Sequence, residues 1–342
     1  KSPNGRDRVL GMWRPIGERD METVREELAS SVETFGSSEA SLRLLVGQLA
    51  SSLEIPAAGP ILISILRDTK MQASKRADAL ISLVELGAAS PADFERAIED
   101  QSVEVRAAAL RMVSRVFPDR AESLLATAAL AGETLERQTA IMALGETGEV
   151  SDGLRKVLRA WAEGKLPAEV ELEALQVAEK LQRSPTITAI LAKVNSTRDL
   201  NVPLDEYRET LYGGDSQKGR AVFFEKVSVS CVRCHKIGFT GGEVGPELTR
   251  IGADKDRKYL LEAIVDPNKV IAKGFESAIL LDLDGNIHTG VVRAEDESSI
   301  TLIDADGKIS SYDKEEIEAR NPAKSGMPAD LLDSLSKSEI RD

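Results

Sequence analysis

Apolar residues recur every three to four positions between about residue 20 and residue 196, which is the spacing that places them on one face of an α-helix. Short groups of Gly, Pro and Ser interrupt this pattern and predict where one helix ends and the next begins. These breaks lie near Gly36, Pro56, Gly87, Pro118, Gly132, Gly148, Gly164 and Ser184. The pattern predicts a series of short helices over this part of the chain.

An internal repeat runs through the predicted helices. Segments of five residues that begin at Arg76, Arg106 and Arg137 align at spacings of 30 and 31 residues, and a looser copy begins at Glu171. A period of about 30 residues with two helices per unit is typical of an α-solenoid, and here it looks like a short form of the HEAT repeat. An irregular helical bundle is the alternative. We assign residues 1–196 to a HEAT-like helical repeat domain.

A different pattern follows this domain. Residues 197–214 contain Pro and Gly and are predicted to connect two domains. Between about residues 275 and 320, apolar and polar residues alternate as they do in β-strands, and Asp-Gly pairs at Asp284 and Asp306 predict hairpin turns. About five short strands are enough for a small SH3-like barrel or a curled meander. The fold class is therefore predicted to be mainly α, with a second helical domain over residues 215–342 that contains this β insertion.

Composition and charge exclude several classes of partner. The net charge of −13 argues against nucleic acid and anionic membrane surfaces. No apolar run approaches the ~20 residues that are needed to span a bilayer. The chain begins Lys1-Ser2 without a signal peptide, so we expect that a targeting segment was removed or lay upstream.

The segment Cys231-Val232-Arg233-Cys234-His235 carries the most specific chemical signal. It is a C-x-x-C-H motif, the sequence at which haem is covalently attached as haem c. The two-residue spacing places both sulfurs on one side of a helical turn, where they can meet the two vinyl groups of haem. The histidine that follows is then the proximal iron ligand.

Three other interpretations of these five residues are weighed against haem attachment: a zinc site, a redox dithiol and a simple disulfide. A structural zinc site needs four nitrogen or sulfur ligands, and outside the motif the chain has no cysteine and one further histidine, His288. A thioredoxin-like motif should follow a strand of a βαβ unit, and no such pattern lies nearby. A disulfide would leave His235 unexplained. Haem attachment is the favoured hypothesis.

The second axial ligand has two candidates downstream of His235. Met327 lies in a loop, and Pro328 favours an extended conformation for it, so that its thioether can project towards iron. His288 lies within a predicted strand and is the alternative ligand. An open sixth position is the remaining possibility. We favour Met327.

Two kinds of further contact are predicted around the cofactor. His235 Nδ1–H is expected to donate to a backbone carbonyl, and Pro246, which has a carbonyl and no N–H, is a candidate acceptor. Residues 211–260 carry nine Lys or Arg and six Asp or Glu, a local charge of +3 within a chain of −13. Arg250 and Lys255 are candidates to neutralise haem propionates, and the basic patch is a candidate docking site for an acidic redox partner.

The motifs of the second domain together resemble the haem-binding C-terminal domain of large planctomycete-type proteins. The segments that carry this resemblance, besides the C-x-x-C-H motif, are 213–224, 241–246, 260–267 and Met327-Pro328. The resemblance implies a class I cytochrome c-like fold with a β insertion before the Met loop. It also implies a HEAT-like region upstream and, in many members, an N-terminal β-propeller that resembles sugar dehydrogenases. No propeller pattern is present, so we expect a fragment or a shorter member.

Roles of individual residues also follow from the resemblance. It implies that Cys231 and Cys234 hold haem c, and that His235 and Met327 ligate the iron while Pro246 orients His235. It further implies that the first and last helices of the cytochrome fold meet at Gly219 and Phe223. The last helix is cut short at Asp342, which we expect to weaken that contact.

The function predicted from these observations is a monohaem c-type cytochrome that transfers single electrons outside the cytoplasm, in the periplasm or an equivalent compartment, on a HEAT-like scaffold. A redox partner protein or a dehydrogenase domain is then the expected partner. One alternative is that the chain is the electron outlet of a larger dehydrogenase. Another is a haem-based peroxidase or gas sensor with an open sixth site. No catalytic residue is predicted, so an enzymatic role stays undecided.

Overall fold

The computed structural model describes residues 4–6, 13–15, 21–35, 40–199 and 201–342. Over these residues it is mainly helical and contains a small five-stranded sheet and two pairs of short strands. The helix break predicted near Gly36 lies outside the described residues. None of the helices in the described ranges is both long and apolar enough to cross a membrane.

The chain divides by compactness into two units, Lys1–Leu158 and Arg159–Asp342. Strands β1 (Asn4–Arg6) and β2 (Trp13–Pro15) pair in the first unit. Its helices are α1 (Met21–Phe35), α2 (Ala40–Ser52), α3 (Gly59–Arg67), α4 (Ala73–Glu85), α5 (Pro91–Ile98), α6 (Val103–Val116), α7 (Pro118–Ala131) and α8 (Thr134–Glu146). Helix α9 (Asp152–Ala162) contains the boundary between the units.

The three aligned repeat segments lie in α4, α6 and α8, which pack side by side. The alanines that the repeat places at equivalent positions, Ala79, Ala109 and Ala140, are fully buried. A methyl group lets neighbouring helix backbones approach closely, and the larger Leu and Ile residues then fill the space between helices. The repeat therefore reflects helix packing.

The arginine that begins each of the first two repeat segments binds groups from neighbouring helices and loops. Arg76 donates to Leu66 O at 2.9 Å and forms an ion pair with Asp100. Arg106 donates to Asp100 O at 2.8 Å and to Glu136 Oε1 at 2.9 Å. Asp100 is thus shared by consecutive repeats. The side chain of Glu136 is only 13 % exposed, because Arg106 holds it against the neighbouring helix.

The carboxylates of this arginine network make the stability of the first unit dependent on pH. The hydrogen bond from Arg106 lowers the pKa of Glu136 against the opposing effect of burial. Burial raises the pKa of Asp100, but hydrogen bonds from Arg76 and Ser102 outweigh it and hold the pKa below its ordinary value. A carboxylate with a lowered folded-state pKa stabilises the fold above its unfolded-state pKa, and this contribution is lost as the pH falls through the folded-state value.

We therefore expect the free energy of unfolding to fall as the pH is lowered below about 4.5, the ordinary pKa of a glutamate. Urea titrations at several pH values measure it. Glu136→Gln should weaken this acid dependence. The matched control is Glu95→Gln, which breaks an exposed ion pair with Arg120. This substitution should leave the acid dependence unchanged, because exposed ion pairs contribute little to the free energy of unfolding. If the free energy of unfolding falls equally with pH in the unsubstituted protein and in Glu136→Gln, the expectation is contradicted.

The second unit contains the end of the helical region, the C-x-x-C-H segment and the five-stranded sheet. Its remaining helices are α10 (Glu171–Lys180), α11 (Pro185–Asn195), α12 (Ser216–Glu225), α13 (Cys231–Cys234), α14 (Ile251–Asp254), α15 (Arg257–Val265) and α16 (Lys337–Arg341). A short hairpin of β3 (Lys236–Ile237) and β4 (Thr240–Gly241) follows α13. By compactness, α10 and α11 lie in the same unit as the C-x-x-C-H segment.

The sheet consists of β5 (Ser277–Asp282), β6 (Ile287–Glu295), β7 (Ser299–Ile303), β8 (Ile309–Asp313) and β9 (Ile317–Pro322). All its pairings are antiparallel, in the order β8-β7-β6-β5-β9. Gly285 and Gly307 have φ values of 85° and 81°, which the two predicted Asp-Gly turns require. One face of the sheet buries Ala278, Leu280, Ile300 and Leu302. Val291 and Ile303 belong to a separate cluster that includes Cys234.

The C-terminal helix α16 packs against α12, as the predicted contact between the first and last helices of this domain requires. A Cβ atom at Gly219 would lie 2.1 Å from Asp342 O, so only glycine permits the approach. Lys226 Nζ also lies 2.6 Å from Glu339 Oε1. On its other side α16 reaches α10, where Gln176 Nε2 donates to Ser338 Oγ at 2.8 Å.

Candidate functional site

Cys231 and Cys234 lie at the two ends of the single helical turn α13. His235 N donates to Cys231 O at 2.9 Å, and His235 itself is extended, with φ −109° and ψ 144°. Ser230, which precedes the turn, has the left-handed conformation φ 47°, ψ 41° that non-glycine residues rarely adopt. The turn presents two half-buried thiols three residues apart, and the chain changes direction on both sides of it.

The imidazole of His235 is held by a backbone carbonyl. Its Nδ1 atom lies 2.8 Å from Pro246 O. A carbonyl oxygen accepts hydrogen bonds and cannot donate them, so the hydrogen of the neutral ring is on Nδ1 and the lone pair is on Nε2. This is the contact that the sequence predicted for Pro246. It leaves Nε2 as the nitrogen that can bind a metal.

The loop that carries Pro246 lies directly against the C-x-x-C-H turn because it is rich in glycine. Gly242 N donates to Val232 O at 2.9 Å, and Gly245 N donates to Cys234 O at 2.8 Å. A Cβ atom at Gly242 would lie 1.8 Å from Arg233 O. A Cβ atom at Gly245 would lie 2.7 to 3.1 Å from three atoms of the His235 ring. The glycine pattern marked this loop in the sequence, but it predicted no role for these two glycines.

The thiols differ electrostatically from those of a redox-active C-x-x-C site. Burial raises the pKa of Cys231 and, although Arg233 is close by, also that of Cys234. Redox-active cysteines have lowered pKa values instead, because the thiolate is the reactive form. Over the described part of the chain, no group of three His, Cys, Asp or Glu residues is placed to hold a metal ion.

Met327 lies in a loop that one hydrogen bond ties to Asn268 and that a second, internal hydrogen bond shapes. Ser325 N donates to the side chain of Asn268 at 3.0 Å, and Met327 N donates to Ser325 Oγ at 3.2 Å. A Cβ atom at Gly326 would lie 3.4 Å from Val291, which is in the same apolar cluster as Cys234. The Met327 loop therefore adjoins the cluster that contains Cys234. Asn268 was not predicted from the sequence, and its position just after Asp266-Pro267 was the available signal.

His288, the alternative axial ligand, projects from the opposite face of β6. Side chains alternate along a strand, so His288 and Val291 point to different sides of the sheet. His288 Nε2 lies 2.8 Å from Asp282 Oδ2, and its ring lies 4.4 Å from that of Tyr312. It is thus engaged in the sheet, away from the face that packs against Cys234.

The two basic candidates lie around α14. Arg250 immediately precedes this helix and is exposed. Lys255 follows it, and its ammonium group lies 4.5 Å from the centre of the Tyr259 ring. Both are accessible to an anionic group, and their proposed contacts with propionates stay predictions.

The apolar side chains around the C-x-x-C-H turn fit a large planar apolar group. Helices α12, α13 and α14 contain no fully buried residue, although α12 carries Val222, Phe223 and Phe224. The two phenyl rings lie edge to face at 4.8 Å and remain half-buried. Apolar helices normally bury such side chains against one another. Two thiols on one turn and an imidazole whose Nε2 is available are the donors that covalent attachment of haem would need.

No protein-family model matches this chain, and no curated protein is similar to it.

Proposed function

We propose that the chain is a monohaem c-type cytochrome that transfers single electrons outside the cytoplasm. The observation that carries the proposal is the hydrogen bond between His235 Nδ1 and Pro246 O, 2.8 Å long, directly beside two thiols on one helical turn. It selects the tautomer with a free Nε2 lone pair, which a proximal iron ligand needs. Nothing in a disulfide or thioredoxin-like site requires that arrangement.

The residues of this site then have distinct tasks. Cys231 and Cys234 form the two thioether bonds, and His235 and Met327 supply a nitrogen and a sulfur ligand. Pro246 fixes the orientation of the imidazole, and Gly245 lets the loop lie against its ring. Bound haem supplies a centre that accepts and releases one electron.

The same proposal extends to the architecture. We infer a HEAT-like solenoid in the helical region, because equivalent alanines of the repeat are buried and equivalent arginines join neighbouring helices. We infer a class I cytochrome c-like fold for the second domain, because Gly219 brings α12 against α16. Both support the resemblance to the planctomycete-type haem-binding family. A redox protein or a dehydrogenase domain is the proposed partner.

Expression in a host that matures cytochromes tests the proposal. We expect a red protein whose mass exceeds that of the polypeptide by one haem, with no free thiol, because both cysteines of the chain are consumed. Colourless protein with two titratable thiols would refute it. The reduced-minus-oxidised absorption spectrum identifies the type of haem.

Met327→Ala tests the distal ligand in the same material. Haem should remain attached, since Cys231, Cys234 and His235 are unchanged. The near-infrared Met–iron band should disappear, and the reduction potential should fall, because a thioether ligand raises it. The matched control is Met142→Ala, which removes an exposed methionine of the helical region and should alter neither. An unchanged near-infrared band in Met327→Ala would remove Met327 from the site.

A further inference from the structure

The loop that carries Met327 is tied to the rest of the described chain by few hydrogen bonds. Ala323 N donates to Ser277 O at 2.9 Å where the loop leaves the sheet. Ser325 N then donates to Asn268 Oδ1 at 3.0 Å, and these two residues are 57 positions apart. Met327 N in turn donates to Ser325 Oγ at 3.2 Å. Within the described part of the chain, Asn268 is thus the residue of another element whose side chain is hydrogen-bonded to this loop.

Asn268 is presented by a well-defined turn at the end of α15. As the chain leaves this helix, Asp266 N donates to Glu262 O at 2.8 Å. Pro267 fixes the backbone that follows and is buried. Lys269 N donates to Asp266 O at 3.0 Å, which closes the turn around Asn268. The oxygen that accepts from the loop is therefore held by α15 and its turn, and not by the loop itself.

The middle of the loop also lies on apolar side chains beside the C-x-x-C-H turn. A Cβ atom at Gly326 would lie 3.4 Å from Val291, which is ordinary van der Waals contact. Apolar contact resists separation of the loop from the sheet, but it is not directional and fixes no orientation. A hydrogen bond is directional. The bond between Ser325 N and Asn268 Oδ1 is therefore the contact that orients the segment leading to Met327.

We propose that Asn268 is a positioning residue that keeps Met327 on the iron and so keeps the sixth coordination site closed. The proposal rests on the proposed function, in which Met327 is the distal ligand. The Asn268 hydrogen bond forms with the loop in its described position and is lost when the loop swings away, so it favours the arrangement in which Met327 is bound. A closed sixth site suits electron transfer, whereas an open one admits small ligands.

Imidazole binding to the oxidised holoprotein tests this role, because imidazole binds the iron only after Met327 has left it. The apparent affinity for such a ligand rises with the fraction of protein whose site is open. Asn268→Ala removes the acceptor and should tighten imidazole binding by about threefold to tenfold, the factor that corresponds to one hydrogen bond of ordinary net strength. The near-infrared Met–iron band should disappear at correspondingly lower imidazole concentrations.

Two further variants serve as controls. Asn268→Asp keeps an oxygen that accepts from Ser325 N, so it should keep the imidazole affinity of the unsubstituted protein. Asn286→Ala is the matched control, because Asn286 Nδ2 donates to Asp282 Oδ2 at 3.0 Å in a turn of the sheet. This substitution removes an asparagine hydrogen bond elsewhere in the same unit and should leave the imidazole affinity unchanged.

An imidazole affinity that is unaltered in Asn268→Ala would overturn the positioning role, and so would equal tightening in Asn268→Ala and Asn286→Ala. A merely structural role predicts a lower thermal unfolding temperature or haem content in Asn268→Ala with no change in imidazole affinity, and that outcome overturns the proposal as well.

The two proposals fail in different ways. If haem is attached and Met327→Ala abolishes the near-infrared band, an unaltered imidazole affinity in Asn268→Ala rejects the role of Asn268 alone. A band that survives in Met327→Ala rejects the distal ligand, and the role of Asn268 with it. Absence of haem from the unsubstituted protein rejects the cytochrome proposal itself.

Discussion

Arg341→Met is expected to destabilise the second unit by about 3–5 kcal/mol, because it leaves the buried carboxylate of Glu173 without a counter-ion. Arg341 Nη1 lies 2.6 Å from Glu173 Oε1, and the two side chains are 8 % and 7 % exposed. One oxygen of Glu173 already lacks a hydrogen-bond partner, so no other group is in place to compensate. The residues are 168 positions apart and join α16 to α10.

Chemical denaturation measures this effect. A Trp13→Phe background leaves Trp161 as the single tryptophan, and its fluorescence then reports on the second unit. The double variant Glu173→Leu/Arg341→Met should recover most of the lost stability, since an apolar pair of similar volume needs no counter-ion. If Arg341→Met costs less than about 1 kcal/mol, the pair behaves as an exposed one and the buried geometry is wrong.

Gly242→Ala is expected to have the second large effect, about 3 kcal/mol or more on stability, together with a loss of haem attachment. Its new methyl group would lie 1.8 Å from Arg233 O, a backbone atom that cannot rotate away. The loop must therefore leave the turn, which breaks the hydrogen bonds from Gly242 N to Val232 O and from Gly245 N to Cys234 O. Overpacking and two lost hydrogen bonds together account for this magnitude.

Gly252→Ala is the matched control for this substitution. Nothing lies within 4 Å of a Cβ atom at Gly252, which lies in α14, ten residues further along the chain. Its stability and haem content should equal those of the unsubstituted protein. Thermal unfolding and haem absorbance per polypeptide measure both quantities. If Gly242→Ala retains full haem content and stability, the loop does not lie against the C-x-x-C-H turn as described.

Secondary structure was predictable wherever the helical periodicity extended over several turns, or the alternation of apolar and polar residues over several positions of a strand. The breaks at Pro56, Gly87 and Pro118 coincide with helix boundaries, because Pro and Gly act on the local backbone alone. Strands β5, β6 and β7 lie where apolar and polar residues alternate. The hairpin of β3 and β4 was missed. Each of its strands has two residues, too few for any alternation to appear.

The candidate site was predictable for the residues that share a short motif. Cys231, Cys234 and His235 lie on or directly after one turn, so their relation depends on helix geometry only. Pro246 could be proposed because proline lacks an N–H, and the structure places its carbonyl at hydrogen-bond distance from His235. Asn268 and Gly245 were not assigned. Their roles depend on contacts with Ser325 and with the imidazole ring, which no local pattern records.

The sequence by itself determined the helices, the strands, their turns and the five-residue motif on which the haem proposal depends. Those features arise from backbone preferences and side-chain periodicity within a few residues. Tertiary structure alone decided that Arg341 meets Glu173, that Gly242 lies on Arg233 and that His288 faces away from Cys234. Contacts between distant residues depend on how all elements pack together. Bringing two distant residues together costs conformational entropy, and that cost is offset only when many other contacts form at the same time.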